Sequence, residues 1–211
     1  MPSAEGVAGE AAEVGHDGEP WGPELDVSSG PYCLLTPMTK KIKIGISACL
    51  LGEMVRYDGV HKINRVLVRK LEKRFDLVAI CPEVECGLLV PREPMELYGS
   101  VRSSRLRVAG STIDLTGVME DFAAKRINMI LKERVCGVIM KNRSPSCAVD
   151  DAVILTAQGK KAGPGMFSRI LAKGIPRLPI VDEETLADPS GLERFLESVA
   201  VYHRSLERRH T

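Results

Sequence analysis

Short apolar segments that favour β-structure alternate with helical patterns along this chain, and this alternation constrains the fold most. The strand patterns occupy residues 42–48, 76–80, 136–140 and 178–181. Helical spacing of apolar residues follows in the segments 64–74, 116–131, 166–173 and 192–203. Strands that alternate with helices predict a Rossmann-like three-layer α/β domain with a mainly parallel sheet and right-handed crossovers. Residues 87–110 are rich in Gly, Pro and Arg and are interpreted as a loop.

Length and charge favour one soluble domain. The chain has 211 residues, 44% of them apolar and 27% charged, with a net charge of +1. These values are typical of a globular protein and give no general attraction to nucleic acid or membranes. No apolar run approaches the roughly 20 residues that span a bilayer. We expect a cytoplasmic protein with a single α/β domain over 41–203.

The two ends of the chain differ in charge from this domain. The first 39 residues contain seven acids and no Lys or Arg, and they lack apolar periodicity. We therefore interpret 1–40 as a disordered acidic tail, since it cannot bury enough surface to offset the entropy of ordering. Met38 directly precedes the globular pattern, and translation from that position is a hypothesis that intact-mass measurement tests. Residues 204–211 are interpreted as a basic C-terminal tail.

Three of the six cysteines follow predicted strands. Cys49, Cys81 and Cys147 lie at or just beyond the carboxyl ends of three strand patterns, separated by 32 and 66 residues. In open parallel sheets the ligand crevice lies at that edge. The chain has no secretion signal and no closely spaced cysteine pair, so reduced thiols that bind a metal or act in catalysis are the better interpretation.

Three converging thiolates suit more than one metal centre. A structural zinc site usually has four ligands, whereas three thiolates with an open position suit a catalytic zinc or an iron–sulfur cluster with an exchangeable iron. Spacing does not choose between these. The remaining cysteines are interpreted as subsidiary: Cys136 as a core residue, Cys86 as structural or incidental, and Cys33 as part of the acidic tail.

Polar residues near these cysteines complete the candidate site. Glu83, two residues beyond Cys81, can orient or deprotonate a water or protonate a leaving group. Ser144 and Ser146 flank a proline in the turn before Cys147, where their hydroxyls can bond substrate or simply stabilise the turn. Further residues can bind an anionic or planar polar substrate: Arg56, Tyr57, Asp58, Lys62, Arg92 and Lys141.

Several blocks of this sequence resemble the bacterial thiouracil desulfidase (TudS) family and the wider YbbK-like family. The blocks stand in the family's order and are spread from 42 to 181, which makes a chance similarity improbable. They read SACLLG at 47–52, VRYDG at 55–59, CPEV at 81–84, PREP at 91–94, DLT at 114–116 and KNRSPSC at 141–147.

The resemblance implies a [4Fe–4S] cluster held by Cys49, Cys81 and Cys147, with one iron free to bind the sulfur of a thiocarbonyl. It also implies non-redox hydrolysis of a small thiolated pyrimidine, with Glu83 as the acid/base group and Ser144 positioning substrate or water. Two residues depart from the family pattern. Cys86 replaces a small residue and Ala148 replaces a glycine. Both changes bear on the identity of the substrate more than on cluster binding.

Two other classes of function compete with an enzyme. A non-catalytic metal or iron–sulfur protein, used in redox sensing or sulfur trafficking, would need the cysteines but no acid at position 83. A module that binds thiolated RNA is disfavoured, because aromatic residues make up only 4% of the chain and the charge is balanced. The sequence leaves the oligomeric state open.

Overall fold

The computed structural model describes residues 41–208, so the predicted acidic tail and Cys33 lie outside the described residues. Strands and helices alternate through the described part. The strands are β1 Ile42–Ser47, β2 Phe75–Ile80, β3 Met95–Ser100, β4 Ser103–Val108, β5 Val135–Met140, β6 Ala152–Thr156, β7 Gly159–Gly163 and β8 Ile180–Asp182. The helices are α1 Ala48–Leu51, α2 Arg65–Glu72, α3 Pro82–Glu85, α4 Thr116–Lys132, α5 Met166–Gly174 and α6 Pro189–Glu207.

The first sheet is entirely parallel, with strand order β2-β1-β5-β8. Every residue of β5 is buried, as expected for a central strand covered on both faces. The chain adds β2 on one side of β1 and later adds β5 on the other, so the strand order reverses at β1. A reversal of this kind opens a crevice at the carboxyl ends of the strands. The predicted α/β fold class with a mainly parallel sheet is confirmed.

The second sheet, with order β4-β3-β6-β7, was not predicted. Two of its strands lie in the segment 87–110, which we interpreted as a loop. Leu97 and Leu106 pair across β3 and β4 and are fully buried, whereas the neighbouring pair of Tyr98 and Arg105 faces away from the core. Glycine and serine interrupt this alternation in the sequence, so the strand pattern is too short to recognise locally.

The long helices are held by apolar stripes. Helix α4 buries Met119, Ala123 and Ile130 at helical spacing, and α6 begins with the carboxylate of Asp188 accepting the N–H of Gly191 at 3.0 Å. Helix α6 continues to Glu207 and thus includes the first residues of the predicted C-terminal tail. No helix between residues 41 and 208 is both long and apolar enough to cross a membrane.

Candidate active site

A cavity of about 550 Å³ opens at the carboxyl ends of β2, β1 and β5. All three predicted ligand cysteines, together with Glu83 and Ser144, line it. A larger cavity of about 670 Å³ lies between β8 and α6, and no cysteine contributes to its lining. The chemistry-bearing residues therefore identify the smaller cavity, which we call the thiol pocket, as the candidate active site.

Cys49 lies in the single turn α1, directly after β1. Its side chain is almost buried, and its carbonyl accepts the N–H of Lys62 at 2.8 Å, which draws the following loop over the pocket. Burial, and to a smaller extent the neighbouring Cys81, raise the pKa of Cys49 to about 11. The charges of Lys141 and Arg56 act in the opposite direction and lower this pKa.

Cys81 is the residue at which β2 ends and α3 begins. Pro82 occupies the first helical position, where its missing N–H costs no hydrogen bond, and the backbone N–H of Cys81 donates to Glu85 Oε1 at 2.8 Å. The thiol is half-buried, and this burial raises its pKa. Cys81 is therefore the most accessible of the three predicted ligand cysteines.

Cys147 is presented by a tight turn that docks on α5. Ser144 Oγ accepts the N–H groups of Ser146 at 3.2 Å and Cys147 at 3.0 Å, so this hydroxyl oxygen stabilises the turn. A Cβ added to Gly165 would lie 2.6 Å from the carbonyl carbon of Ser146, so only glycine permits this close packing. The hydroxyl of Ser168 also donates to the carbonyl of Cys147.

The three thiols influence one another electrostatically. Burial raises the pKa of Cys147 well above its ordinary value, and negative charge at Glu83, Cys49 and Cys81 raises it further. The hydroxyl of Ser47, which is buried, hydrogen-bonds the Cys147 thiol and lowers this pKa. Without a bound cation, neutral thiols are therefore favoured near pH 7.

The donor set fits an iron–sulfur cluster. Between residues 41 and 208, the only cysteines in the pocket lining are Cys49, Cys81 and Cys147, and thiolates are the ligands that such clusters take. No group of three His, Cys, Asp or Glu side chains in this part of the chain forms a ready site for a metal ion. The pocket thus offers three soft ligands, and binding would require their deprotonation.

Glu83 is held by Arg92. The guanidinium donates to Glu83 Oε2 through Nε at 3.2 Å and through Nη2, and both side chains are largely buried. Arg92 also donates to the carbonyls of Val55 at 2.9 Å and Leu89 at 3.0 Å. Arg92 is one of the residues that we interpreted as able to bind an anionic or planar polar substrate, and its contacts in the structure are to Glu83 and to two backbone carbonyls. Glu83 Oε1 has no hydrogen-bond partner among residues 41–208.

A second ion pair lies on the opposite wall. Lys141 Nζ contacts Glu183 Oε1 and Asn142 Oδ1, and Glu183 Oε2 accepts the N–H of Asn142 at 2.8 Å. The sequence analysis missed Glu183, because it follows β8, about 40 residues beyond Lys141. Ser47 was also missed as a site residue, although it stands two residues before Cys49 in the first resembling block.

Cys86 and Cys136, the two subsidiary cysteines among residues 41–208, do not line this pocket. Cys86 Sγ donates to the carbonyl of Glu83 at 3.2 Å and closes the turn after α3. Cys136 is 1% exposed at the start of β5, where its Sγ donates to the carbonyl of Arg134 at 3.2 Å. Cys136 therefore lies in the core, as we expected, and the structural or incidental role of Cys86 stays a prediction.

Cationic side chains surround the pocket mouth. Arg56 lies over the ring of Tyr57 at 5.5 Å and pairs with Asp58 at 3.2 Å. Lys62 and Arg143 also contribute to the lining. The rim thus combines positive charge with an exposed aromatic ring, which suits a planar polar or anionic ligand.

Comparisons with known proteins agree with this geometry. A profile of the 2-thiouracil desulfurase family matches residues 44–183. The chain is 32% identical over 149 residues to the uncharacterized protein YbbK of Bacillus subtilis (strain 168), covering 68% of this chain and 97% of that protein. It also resembles the solved structure of the [4Fe–4S]-dependent thiouracil desulfidase TudS, with 30% identity, a TM-score of 0.55, and coverage of 70% of this chain and 94% of that one. The predicted family and the prediction of an enzyme are confirmed, and the chain belongs to the 2-thiouracil desulfurase family.

Proposed function

We propose that this protein is an iron–sulfur-dependent desulfidase that hydrolyses the C=S bond of a small thiolated pyrimidine, such as 2-thiouracil or a thiouridine-type compound. The observation that carries the proposal is the thiol pocket itself. Thiols from three adjacent strand ends and the carboxylate of Glu83 share one cavity, with cations at its mouth. The reaction consumes one water and releases a carbonyl product and hydrogen sulfide, without net transfer of electrons.

In this proposal Cys49, Cys81 and Cys147 hold a [4Fe–4S] cluster as thiolates. When bound, the cluster supplies a Lewis-acidic iron that has no protein ligand and can polarise the C=S bond. Positive charge from Lys141 and Arg56 lowers the pKa of Cys49, and this favours the thiolate that the cluster requires. Cys49 and Cys147 are buried, which keeps solvent away from their sulfurs, and Cys81 is half-buried.

Glu83 is proposed to move the protons of the reaction. Arg92 fixes the carboxylate through Oε2 and leaves Oε1 to accept a proton from the attacking water. The same carboxyl group can then deliver that proton to the departing sulfur, and the second proton of the water leaves the added oxygen as the carbonyl forms, so the sulfur departs as hydrogen sulfide. One residue thus serves as base and then as acid, in agreement with a reaction that consumes a single water.

Ser144 is proposed to orient the substrate or the water. Its oxygen already accepts two backbone N–H groups in the Cys147 turn, so the hydroxyl proton remains available to donate. Tyr57 offers a face for the pyrimidine ring, and the adjacent cations suit an anionic form of the substrate.

The test is oxygen-free purification followed by iron and sulfide analysis and turnover in ¹⁸O-labelled water. We expect about four irons per chain, one sulfide released per 2-thiouracil consumed, one labelled oxygen in the uracil product, and no need for a reductant. A protein that holds no iron after reconstitution contradicts the proposal. A cluster-bearing protein that leaves thiouracil, thiouridine and thiouridine monophosphate unchanged favours the non-catalytic iron–sulfur alternative. Unlabelled product refutes hydrolysis.

A further inference from the structure

Helix α4 places one arginine where apolar side chains are otherwise required. Arg126 lies on the same inward stripe as Met119, Ala123 and Ile130 and is 5% exposed. A buried charge is costly unless it is paired and hydrogen-bonded, so the partners of this guanidinium indicate why it is retained.

The partners of Arg126 stand on both sides of Cys81. Its Nη2 donates to the carbonyl of Ala79 at 2.9 Å, near the end of β2. Its Nε lies 3.4 Å from Glu85 Oε2, and Glu85 Oε1 accepts the backbone N–H of Cys81 at 2.8 Å. One side chain from a neighbouring helix therefore hydrogen-bonds the strand end and forms an ion pair, without a hydrogen bond from Nε, with the short helix that follows this cysteine.

The segment that carries Cys81 is short and, beyond the pairing of Glu83 with Arg92, has little support of its own. Helix α3 has only four residues, and an isolated turn of helix is unstable because nucleation fixes many dihedral angles for few hydrogen bonds. Cys147, in contrast, is fixed by Ser144, Ser168 and the docked end of α5. Cys81 is also the most exposed of the three pocket thiols, so its position depends most on an external brace.

We infer that Arg126 and Glu85 form a positioning brace that holds Cys81 and the adjacent Glu83 in place for the bound cluster. This inference rests on the proposed function, since it assigns the brace to a cluster ligand. Neither Arg126 nor Glu85 lines the thiol pocket, so we expect neither to touch substrate. Outer partners of metal ligands affect affinity strongly, and their removal typically lowers it roughly 10- to 100-fold.

The experiment compares Arg126→Met, Glu85→Ala and the double variant with the wild-type protein. Arg107→Met is the matched control, because Arg107 pairs with Glu96 at 2.7 Å on the outer face of the second sheet. Three quantities are measured: the thermal midpoint of the cluster-free protein, the alkylation rate of Cys81 relative to Cys49 in that form, and the rate of iron loss to a chelator after anaerobic reconstitution.

We expect both brace variants to alkylate Cys81 several-fold faster relative to Cys49 and to lose iron roughly 10- to 100-fold faster than wild type. The double variant should resemble either single variant, because the two residues act as one unit. Arg107→Met should match wild type in both rates. Unchanged alkylation and iron loss in the brace variants would overturn the inference, and so would equal acceleration in Arg107→Met. A wild-type protein without iron would overturn the proposed function instead, and the alkylation rates would still decide whether the brace positions Cys81.

Discussion

The two ends of the first sheet both contain buried cysteine, but among the described residues only the carboxyl end brings several cysteines to one cavity. Cys136 lies at the start of β5, and burial raises its pKa to about 11, the same value as for Cys49 at the opposite end. The Sγ of Cys136 lies 3.6 Å from His203 Nδ1 of α6, whereas Cys49 lies within the electrostatic reach of Cys81 and Cys147. Burial and pKa therefore do not distinguish a core thiol from a candidate ligand. What distinguishes a candidate ligand is that several thiols converge on one cavity.

The largest expected effect is the loss of the cluster and of activity when one of the three pocket cysteines is replaced. Replacing Cys49, Cys81 or Cys147 by alanine should abolish desulfidation and remove the broad visible absorbance and most of about four irons per chain. The Cys136→Ala variant should retain iron and activity, since the Cys136 thiol contacts the carbonyl of Arg134 and His203 and does not line the thiol pocket. Iron analysis and absorbance of the reconstituted proteins provide the measurement. Equal iron loss in Cys136→Ala would show that burial matters more than convergence.

The next largest effect is expected at Glu83, where a substitution separates cluster binding from proton transfer. Glu83→Gln preserves the size of the side chain but removes its basicity, so we expect a roughly 10²- to 10⁴-fold lower turnover rate with the cluster retained. Glu96→Gln is the control, because Glu96 is also paired with an arginine but lies on the outer face of the second sheet. Steady-state rates and iron content are measured together. Full activity in Glu83→Gln would remove Glu83 from the mechanism.

A smaller effect concerns the packing that presents Cys147. Gly165→Ala should lower the free energy of unfolding by about 1–3 kcal/mol, because the new Cβ meets backbone atoms rather than a flexible side chain. Gly117 in α4 has no atom within 4 Å of an added Cβ, so Gly117→Ala should leave stability unchanged or raise it by up to about 1 kcal/mol. Denaturant unfolding of both variants measures the difference. Equal stability of the two variants would mean that the turn adjusts without cost.

The smallest effect is a pH dependence at the amino end of the sheet. The pKa of Cys136 is about 11 in the folded protein and near 9.0 in the unfolded chain, so the folded state binds more protons between these values. The stabilisation is complete below pH 9 and is lost as the pH rises toward 11, by at most on the order of 2 kcal/mol. In the cluster-loaded protein, Cys136→Ala should therefore show a smaller fall in thermal midpoint from pH 8.5 to 10.5 than wild type. An identical fall in both would contradict this contribution.

Much of the fold and of the candidate site could be predicted from local sequence patterns. The strand pattern 136–140 is continuous and apolar because β5 is buried on both faces, so it is visible without any partner. The placement of Cys49 and Cys81 directly after strands follows from the same local signal. The second sheet was missed because its strands are short and are interrupted by Gly99 and by serines, so only pairing between distant segments defines them.

The sequence by itself determined the parallel sheet, the edge at which the cysteines lie and the residue types available for cluster chemistry, because these depend on periodicity and on neighbours along the chain. The tertiary structure decided which side chains meet. It engages Arg92 with Glu83, pairs Lys141 with Glu183, and brings Arg126 from α4 to the turn that carries Cys81. These partners are separated by 9, 42 and 47 residues respectively, and no local pattern encodes such distances. Their contacts form only when the helices and loops pack around the sheet.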